Sequence, residues 1–359
     1  MNLKQYFSEK LSKILFLEIS KDKFKEIFKI SSDETIYIPI KSDSIIEKVK
    51  NGENLEDIPL SFFVESMFYV IGADEQFKYN LSYMEILKNI AKSTDYIKGA
   101  IFKEIKNDKL EDAYLLLKGL SVIQPTDEIY EKLFKLLENL RTLEPLYREE
   151  EHNLISQAKT DLLNSSLPYY YECSLFKSEG KFDEALLSII SYIEKGGEQT
   201  PDISDLKHSL ENAVKYDEGK KLANVSPAEG LKLLLPLIDE FADDADLFYY
   251  IAIAYRVIKN YDKAIFYLNE ARTIDSNFVE VVNELGVNYA CIGDYSVAVK
   301  YLRKAFEFTK SVEICTNLIM CYIDMGDLVS ARNHLELAKK LAPEDEIVVK
   351  LEKVLKKKK

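Results

Sequence analysis

The sequence is poor in the residues that carry chemistry. Its 359 residues include three histidines, His152, His208 and His334, no two closer than 56 positions and none within five residues of a cysteine. No two of them can form a local ligand pair on one helix, which removes the usual zinc patterns. Four cysteines, Cys173, Cys291, Cys315 and Cys321, are too few for a disulfide framework, and none forms a Cys-x-x-Cys pair. Reduced thiols in or beside the core are expected. Twelve glycines and nine prolines leave no stretch biased enough for a long flexible linker. The phosphate-cradling Gly-x-x-x-x-Gly-Lys-Ser/Thr, the dinucleotide Gly-x-Gly-x-x-Gly, His-Glu-x-x-His and Gly-x-Ser-x-Gly are all absent. No apolar run approaches the roughly 20 residues needed to span a bilayer. Met1 to Lys10 lacks the apolar core of a signal peptide, so the expected location is cytoplasmic, without membrane insertion.

Cationic excess is also missing. The formal charge is −13 and the pI near 5.0, a background that repels polyanions, so nucleic acid is not an expected partner. The charge is uneven: residues 245–359 hold 17 Lys/Arg against 16 Asp/Glu, and residues 1–244 hold 31 against 45. The tyrosine clusters 169–171 and 249–250 therefore read as packing groups rather than base-stacking platforms. The lysines 356–359 read as solubilising groups that complement a helix C-terminus.

What the sequence does have is helical periodicity. From Phe102 onward apolar residues recur three and four apart, broken by short turns with Gly, Asn, Asp or Pro. With 47% hydrophobic residues the chain can fill a sizeable core. Residues 245–345 repeat themselves. With Ala245 as position 1, Phe248, Ile251, Ala252, Tyr255, Ala264, Leu268, Ala271 and Ile274 fall at positions 4, 7, 8, 11, 20, 24, 27 and 30. Counting from Val279 gives Val282, Leu285, Gly286, Tyr289, Ala298, Leu302, Ala305 and Phe308. Counting from Val312 gives Cys315, Leu318, Ile319, Tyr322, Ala331, Leu335, Ala338 and Leu341, and Pro343 closes the unit. Turns at Lys259-Asn260-Tyr261, Ile292-Gly293-Asp294-Tyr295 and Met325-Gly326-Asp327-Leu328 split each unit into two helices. Gly or Asn there suits the left-handed conformation that ends a helix. Small residues at positions 8, 20 and 27 let helices approach closely.

This pattern of about 34 residues resembles the tetratricopeptide repeat family. Weaker copies lie upstream. Gly180-Lys181-Phe182-Asp183-Glu184-Ala185 reads as a turn and second-helix start, with Tyr169, Cys173 and Phe176 at matching offsets and Glu172 out of type. Asp112-Ala113, Leu117, Leu120 and Pro125 also match, although Glu104 stands where an aromatic belongs. Helices are expected over 127–143, 149–163, 203–225 and 227–242, the last kinked by Pro236. Residues 1–93 resemble no family and read as helices over 3–18, 21–28, 62–71 and 82–91 with an extended stretch at 35–40. The expected fold is an all-α solenoid of stacked antiparallel helix pairs. Its divisions are an N-terminal segment (1–93), degenerate repeats (94–244), three well-formed repeats (245–345) and a capping helix (346–359).

The resemblance implies a binding scaffold and not an enzyme, with no cofactor and no metal. His152 could share a helix face with Glu149, but a solvated surface pair explains that spacing. The pairs Asp243-Asp244 and Glu344-Asp345 sit where helix capping explains them. In the family the first helix of each unit lines a concave groove through positions 2, 5, 9, 12 and 13. Here these are Asp246, Tyr249, Ile253, Arg256 and Val257; Glu280, Asn283, Val287, Ala290 and Cys291; and Glu313, Thr316, Met320, Ile323 and Asp324. Of the basic and amide residues that clamp a chaperone C-terminal carboxylate in some members, only Asn283 and Arg256 have the right type, so that ligand is not expected. An apolar floor with an acidic edge suits a protein or peptide segment that is apolar and carries Lys/Arg. The apolar floor could equally be covered by the chain itself. Two other functions stay open: a regulator whose array closes on a small peptide signal, and, less favoured, an enzyme with its site in residues 1–93.

Overall fold

The computed structural model describes residues 3–30, 35–42, 45, 46, 50 and 58–358. The chain divides into two compact units, 1–207 and 208–359.

In the first unit, α1 (Leu3–Leu11), β1 (Ile14–Glu18), α2 (Lys21–Phe28) and β2 (Tyr37–Lys41) precede a run of helices: α3 (Leu60–Ala73), α4 (Asn80–Asn89), α5 (Ser93–Lys106), α6 (Leu110–Ile123), α7 (Asp127–Leu143), α8 (Tyr147–Asp161), α9 (Leu167–Ser178) and α10 (Phe182–Glu194). The single helix expected over 3–18 is corrected to a helix followed by a strand. Ile14-Leu15-Phe16-Leu17 is a continuous apolar run, and periodicity cannot tell a buried strand from a helix in so short a stretch. β1 pairs antiparallel with β2 in the register Ile14↔Lys41 to Glu18↔Tyr37. Beyond this two-stranded sheet, the all-α architecture holds.

The described residues of 1–93 share their core with the helices that follow. Phe7, Ile38, Phe63 and Phe68 belong to one buried cluster with Tyr114, Phe134 and Tyr171. At its centre α3 is buried almost throughout from Phe63 to Ala73. It crosses α6 at two facing glycines: a Cβ on Gly72 would lie 1.9 Å from the Leu115 carbonyl oxygen, and one on Gly119 2.0 Å from that of Phe68. Only hydrogen side chains permit this backbone contact.

Tyrosine hydroxyls inside this unit donate to carboxylates. Tyr6 and Tyr147 donate to Glu111 at 2.8 and 2.6 Å, Tyr69 to Asp112 at 2.8 Å, Tyr114 to Glu150 at 2.7 Å, and Tyr130 to Asp161. Burial first, and the neighbouring carboxylates second, raise the pKa of each of these phenols. Part of the acidic excess of residues 1–244 is thereby used internally, since a buried phenol needs a partner.

The chain passes from one unit to the next within α11 (Pro201–Val225). The second unit continues with α12 (Pro227–Leu234), which becomes a 3₁₀ turn over Leu235–Leu237, where Pro236 lacks the N–H to extend it. Then come α13 (Ala245–Val257), α14 (Tyr261–Ile274), α15 (Val279–Cys291), α16 (Tyr295–Thr309), α17 (Val312–Asp324), α18 (Leu328–Leu341) and α19 (Glu346–Lys357). The small residues at positions 20 and 27, and at position 8 of the first two units, are all buried, as is Ile319 at position 8 of the third, and a Cβ on Gly286 would meet the Leu302 side chain at 2.6 Å. Rings stack inside the units: Tyr255 on Tyr267 at 5.5 Å and Tyr289 on Tyr301 at 5.6 Å, with Tyr322 against His334 at 5.1 Å. α19 caps the array by burying Val348, Leu351 and Leu355, and Lys359 lies outside the described residues. Cys173, Cys315 and Cys321 are buried and Cys291 is exposed. Burial pushes the thiols of Cys173 and Cys321 up to about 11.

Candidate partner-binding face

The geometry of the turn sets how each helix pair presents its first helix. Position 15 is left-handed in every unit of the strong array: Lys259 (φ 60°), Gly293 (φ 86°) and Gly326 (φ 79°). The backbone N–H of position 16 then donates to the carbonyl of position 11, from Asn260 to Tyr255 at 2.9 Å, Asp294 to Tyr289 at 3.0 Å and Asp327 to Tyr322 at 2.9 Å. The side chains of Asn260, Asp294 and Asp327 cap the second helices by accepting the N–H three residues on. The first turn departs from expectation: Lys259, not Asn260, takes the left-handed conformation, because Asn260 serves as the cap. Upstream, Asp108 (φ 59°) and Gly180 (φ 72°) occupy the same place. Lys109 donates to Glu104 and Lys181 to Phe176, each at 2.9 Å.

These are tetratricopeptide-like repeats. Five turns share one backbone solution, and in 245–345 three pairs of 13-residue first helices and 14- or 15-residue second helices follow in phase. No family model matches the sequence, and a search of curated proteins gives no match. Among solved structures, the tetratricopeptide-like fold is similar to YrrB, described as a TPR protein with an unusual peptide-binding site, at 17% identity over 55% of this chain and 97% of that one, with a TM-score of 0.41. It is similar to MamA at 17% identity over 49% and 90% (TM-score 0.36), and to the APC/C hetero-tetramer Cut9–Hcn1 at 13% identity over 87% and 66% (TM-score 0.38). The assignment rests on the period and turns of the chain itself.

The tetratricopeptide-like first helices α13, α15 and α17 carry the expected groove positions, and the structure sorts these into three groups. Asp246, Val257, Glu280, Cys291, Glu313, Met320 and Asp324 are exposed, and Tyr249, Arg256, Asn283, Val287 and Ala290 are half-buried. Ile253, Thr316 and Ile323 are corrected to core positions. Ile253 is 3% and Ile323 8% exposed within the apolar clusters, and Thr316 is 2% exposed with its hydroxyl donating to the Glu313 carbonyl.

One residue on this face escaped the sequence reading. Glu284, at position 6 of the second unit, brings its carboxylate 2.9 Å from Arg256 Nε with only 13% of its side chain exposed. The two atoms are close but not aligned as a hydrogen bond, so both keep unmet hydrogen-bonding capacity, as does the buried Oδ1 of Asn283. Burial raises the Glu284 carboxyl above its usual value, Arg256 opposes the rise and Glu313 adds to it. The Tyr249 phenol is pushed up to about 12 by burial first and then by Glu284, Tyr250 and Glu280. Tyr249, Arg256, Glu280, Glu284 and Glu313 thus form one electrostatically linked group across three repeats, with one cation among three carboxylates. A signal for Glu284 existed: it stands four residues after Glu280, the spacing that shares a helix face.

Arg256 lies as the ion-pair neighbour of Glu284, whose negative charge opposes the approach of a partner's carboxylate. His152 pairs through Nε2 with Glu179 at 2.9 Å rather than with Glu149, and Glu179 also meets Lys181 at 2.8 Å. Asp244 and Asp345, one member of each acidic pair, cap α13 and α19. Among the described residues no group of three His, Cys, Asp or Glu side chains could hold a metal ion, and no helix is long and apolar enough to cross a membrane.

Proposed function

We propose that the protein is a non-enzymatic scaffold that holds a protein or peptide segment along α13, α15 and α17, and that this segment is apolar and carries Lys or Arg. The observation that carries the reading is Glu284, a mostly buried carboxylate whose one cationic neighbour is misaligned. The unmet Oε2 of Glu284 lies beneath the surface, so it draws a partner's guanidinium or ammonium to this face through its field rather than by direct contact. Glu280 and Glu313 extend the negative edge, while Val257 (38% exposed) and Met320 (42%) offer apolar contact. Charge complementarity of this kind selects the partner more than it adds raw affinity.

The test is selection of a random peptide library on the full-length protein, repeated with Glu280→Lys/Glu313→Lys. Both positions are exposed, so folding should be retained. Wild type should enrich sequences with Lys or Arg next to apolar residues, and the variant should bind the same peptides about tenfold or more weakly. Equal binding by a folded variant sinks the proposal.

A further inference from the structure

The first unit contains a cavity of about 580 Å³ walled by α6, α8 and the turn between α3 and α4, a size that suits a small ligand. Helix α8 lines it with Glu150, Asn153, Gln157, Thr160 and Asp161, whose spacing places them on one face. From the other elements come Lys118, Asp74, Glu75 and Asn80. Four carboxylates therefore share one ammonium. Lys118 lies 2.6 Å from Glu150 and 2.9 Å from Glu75. Among the described residues Asp161 meets neutral donors, the Tyr130 hydroxyl and Gln157 Nε2 at 2.9 Å, and Asp74 accepts the Gln76 backbone N–H at 3.0 Å.

A second observation is independent of charge. Asn80 is 6% exposed, and its Nδ2 donates to the Asp74 carbonyl at 2.7 Å. Its buried Oδ1 has no hydrogen-bond partner among the described residues, which is costly for a group that accepts strongly. The remaining wall is apolar, from Phe7, Ile71, Met84, Val122 and Leu154. The carboxylates do not converge into a metal-binding group among the described residues, so the negative charge is spread along the wall. The other large cavity of this unit, about 680 Å³, differs. Its lining carries five lysines against four carboxylates, with Lys10, Lys41 and Lys109 beside Asp112, Glu65 and Glu104 at 3.5, 2.9 and 3.8 Å, so it does not favour a cation.

We propose that the 580 Å³ cavity binds a small organic cation, a primary amine or diamine on an apolar stem, with Asp161 accepting its N–H groups and the Asn80 amide turning its buried, unpartnered Oδ1 toward the cavity to accept another. The stem lies against the apolar wall. This site is separate from the face on the repeats, and its test is independent of that reading.

The experiment is calorimetric titration of the full-length protein with short straight-chain diaminoalkanes, using dicarboxylates of the same lengths at matched ionic strength as controls. The diamines should saturate one site per chain and the dicarboxylates should give no binding heat. Asp161→Asn keeps an acceptor for Tyr130 and removes the charge, and should weaken binding about tenfold or more. Gln157→Lys, at an exposed position of α8, places a tethered ammonium beside Asp161 and should abolish diamine binding even if the first variant fails to fold. The proposal is overturned by absence of a saturable site, by equal binding of the dicarboxylates, or by wild-type affinity in folded Gln157→Lys.

Discussion

The two units build similar helix pairs from different interiors. In residues 245–345 the repeat is carried by alanines, one glycine and stacked rings, and each unit resembles the next. In residues 1–207 the same left-handed turn recurs at Asp108 and Gly180. There, however, the interior is stitched by tyrosine–carboxylate hydrogen bonds and by the backbone contact of Gly72 with Gly119. The turn and its position 16 to position 11 hydrogen bond are what persist, and the side chains between turns can be replaced wholesale. A helix pair is thus specified by where it reverses more than by what fills it.

Several substitutions would break or sharpen this contrast. The largest effect is expected at the glycine crossing. Gly119→Ala drives a methyl to within 2.0 Å of a backbone oxygen and should cost about 3 kcal/mol in urea unfolding, at the upper end for overpacking. Gly286→Ala in the second unit meets mainly the Leu302 side chain, at 2.6 Å, with the Leu302 backbone nitrogen at 3.2 Å, and should cost about 1 kcal/mol, the lower end of that range. Equal costs would remove the distinction between the two interiors. Next is the end of the array. Asp345 accepts from the backbone N–H groups of Ile347 and Val348 at 2.9 and 3.0 Å, and Asp345→Ala should cost about 1 kcal/mol, read as a lower unfolding midpoint. Relief of the left-handed conformation by Lys259→Gly should raise stability by about 0.5 kcal/mol, with Asp108→Gly acting alike in the other unit.

The smallest signal is a slope with pH, and it has opposite signs at two glutamates. Burial acts against ionised Glu111, but hydrogen bonds from Lys10, Tyr147 and Tyr6 outweigh it and hold its pKa below 4.5. Its contribution is present above that value and is lost as pH falls through the lowered pKa. Glu284 is raised above 4.5 by burial. The folded state there holds a proton that the unfolded chain releases, so stability falls as pH rises from 4.5 toward the raised pKa. Denaturation midpoints across this range, compared with Glu111→Gln and Glu284→Gln, should lose the acid-side decline and the upper decline respectively. Loss of the same limb in both variants would refute the assignment.

The sequence made the strong repeats legible because each structural demand there has its own residue type: alanine where helices touch, glycine where the chain turns left-handed, aspartate where a helix begins. Lys259 and Asp108 take the same left-handed place without a residue that announces it, and only the recurring spacing marks them. The strand Ile14–Glu18 was hidden because its partner, Tyr37–Lys41, is supplied by a distant segment. Gly72 and Gly119 read as ordinary helix glycines until the crossing of α3 and α6 brings them together. On the candidate face, the exposed Asp246, Glu280, Glu313, Val257 and Met320 could be read from position alone. Burial of Ile253 and Thr316 could not, because it depends on how closely neighbouring helices stack. Glu284 was overlooked for a related reason: its interest comes from Arg256 in the preceding repeat, not from its own surroundings in sequence.

The tyrosine–carboxylate bonds have a spectroscopic consequence. The chain has 23 tyrosines and no tryptophan, so its ultraviolet emission comes from phenols alone. A carboxylate that accepts a hydrogen bond from a phenol draws off its proton in the excited state and dims the emission. Tyr6, Tyr69, Tyr114, Tyr130 and Tyr147 are held this way in the first unit, against Tyr216 on Asp244 in the second, where Tyr255, Tyr267, Tyr289 and Tyr301 are paired ring on ring. Melting of the first unit, with five such pairs, should therefore register as a larger gain of light than melting of the second, a built-in reporter that needs no label.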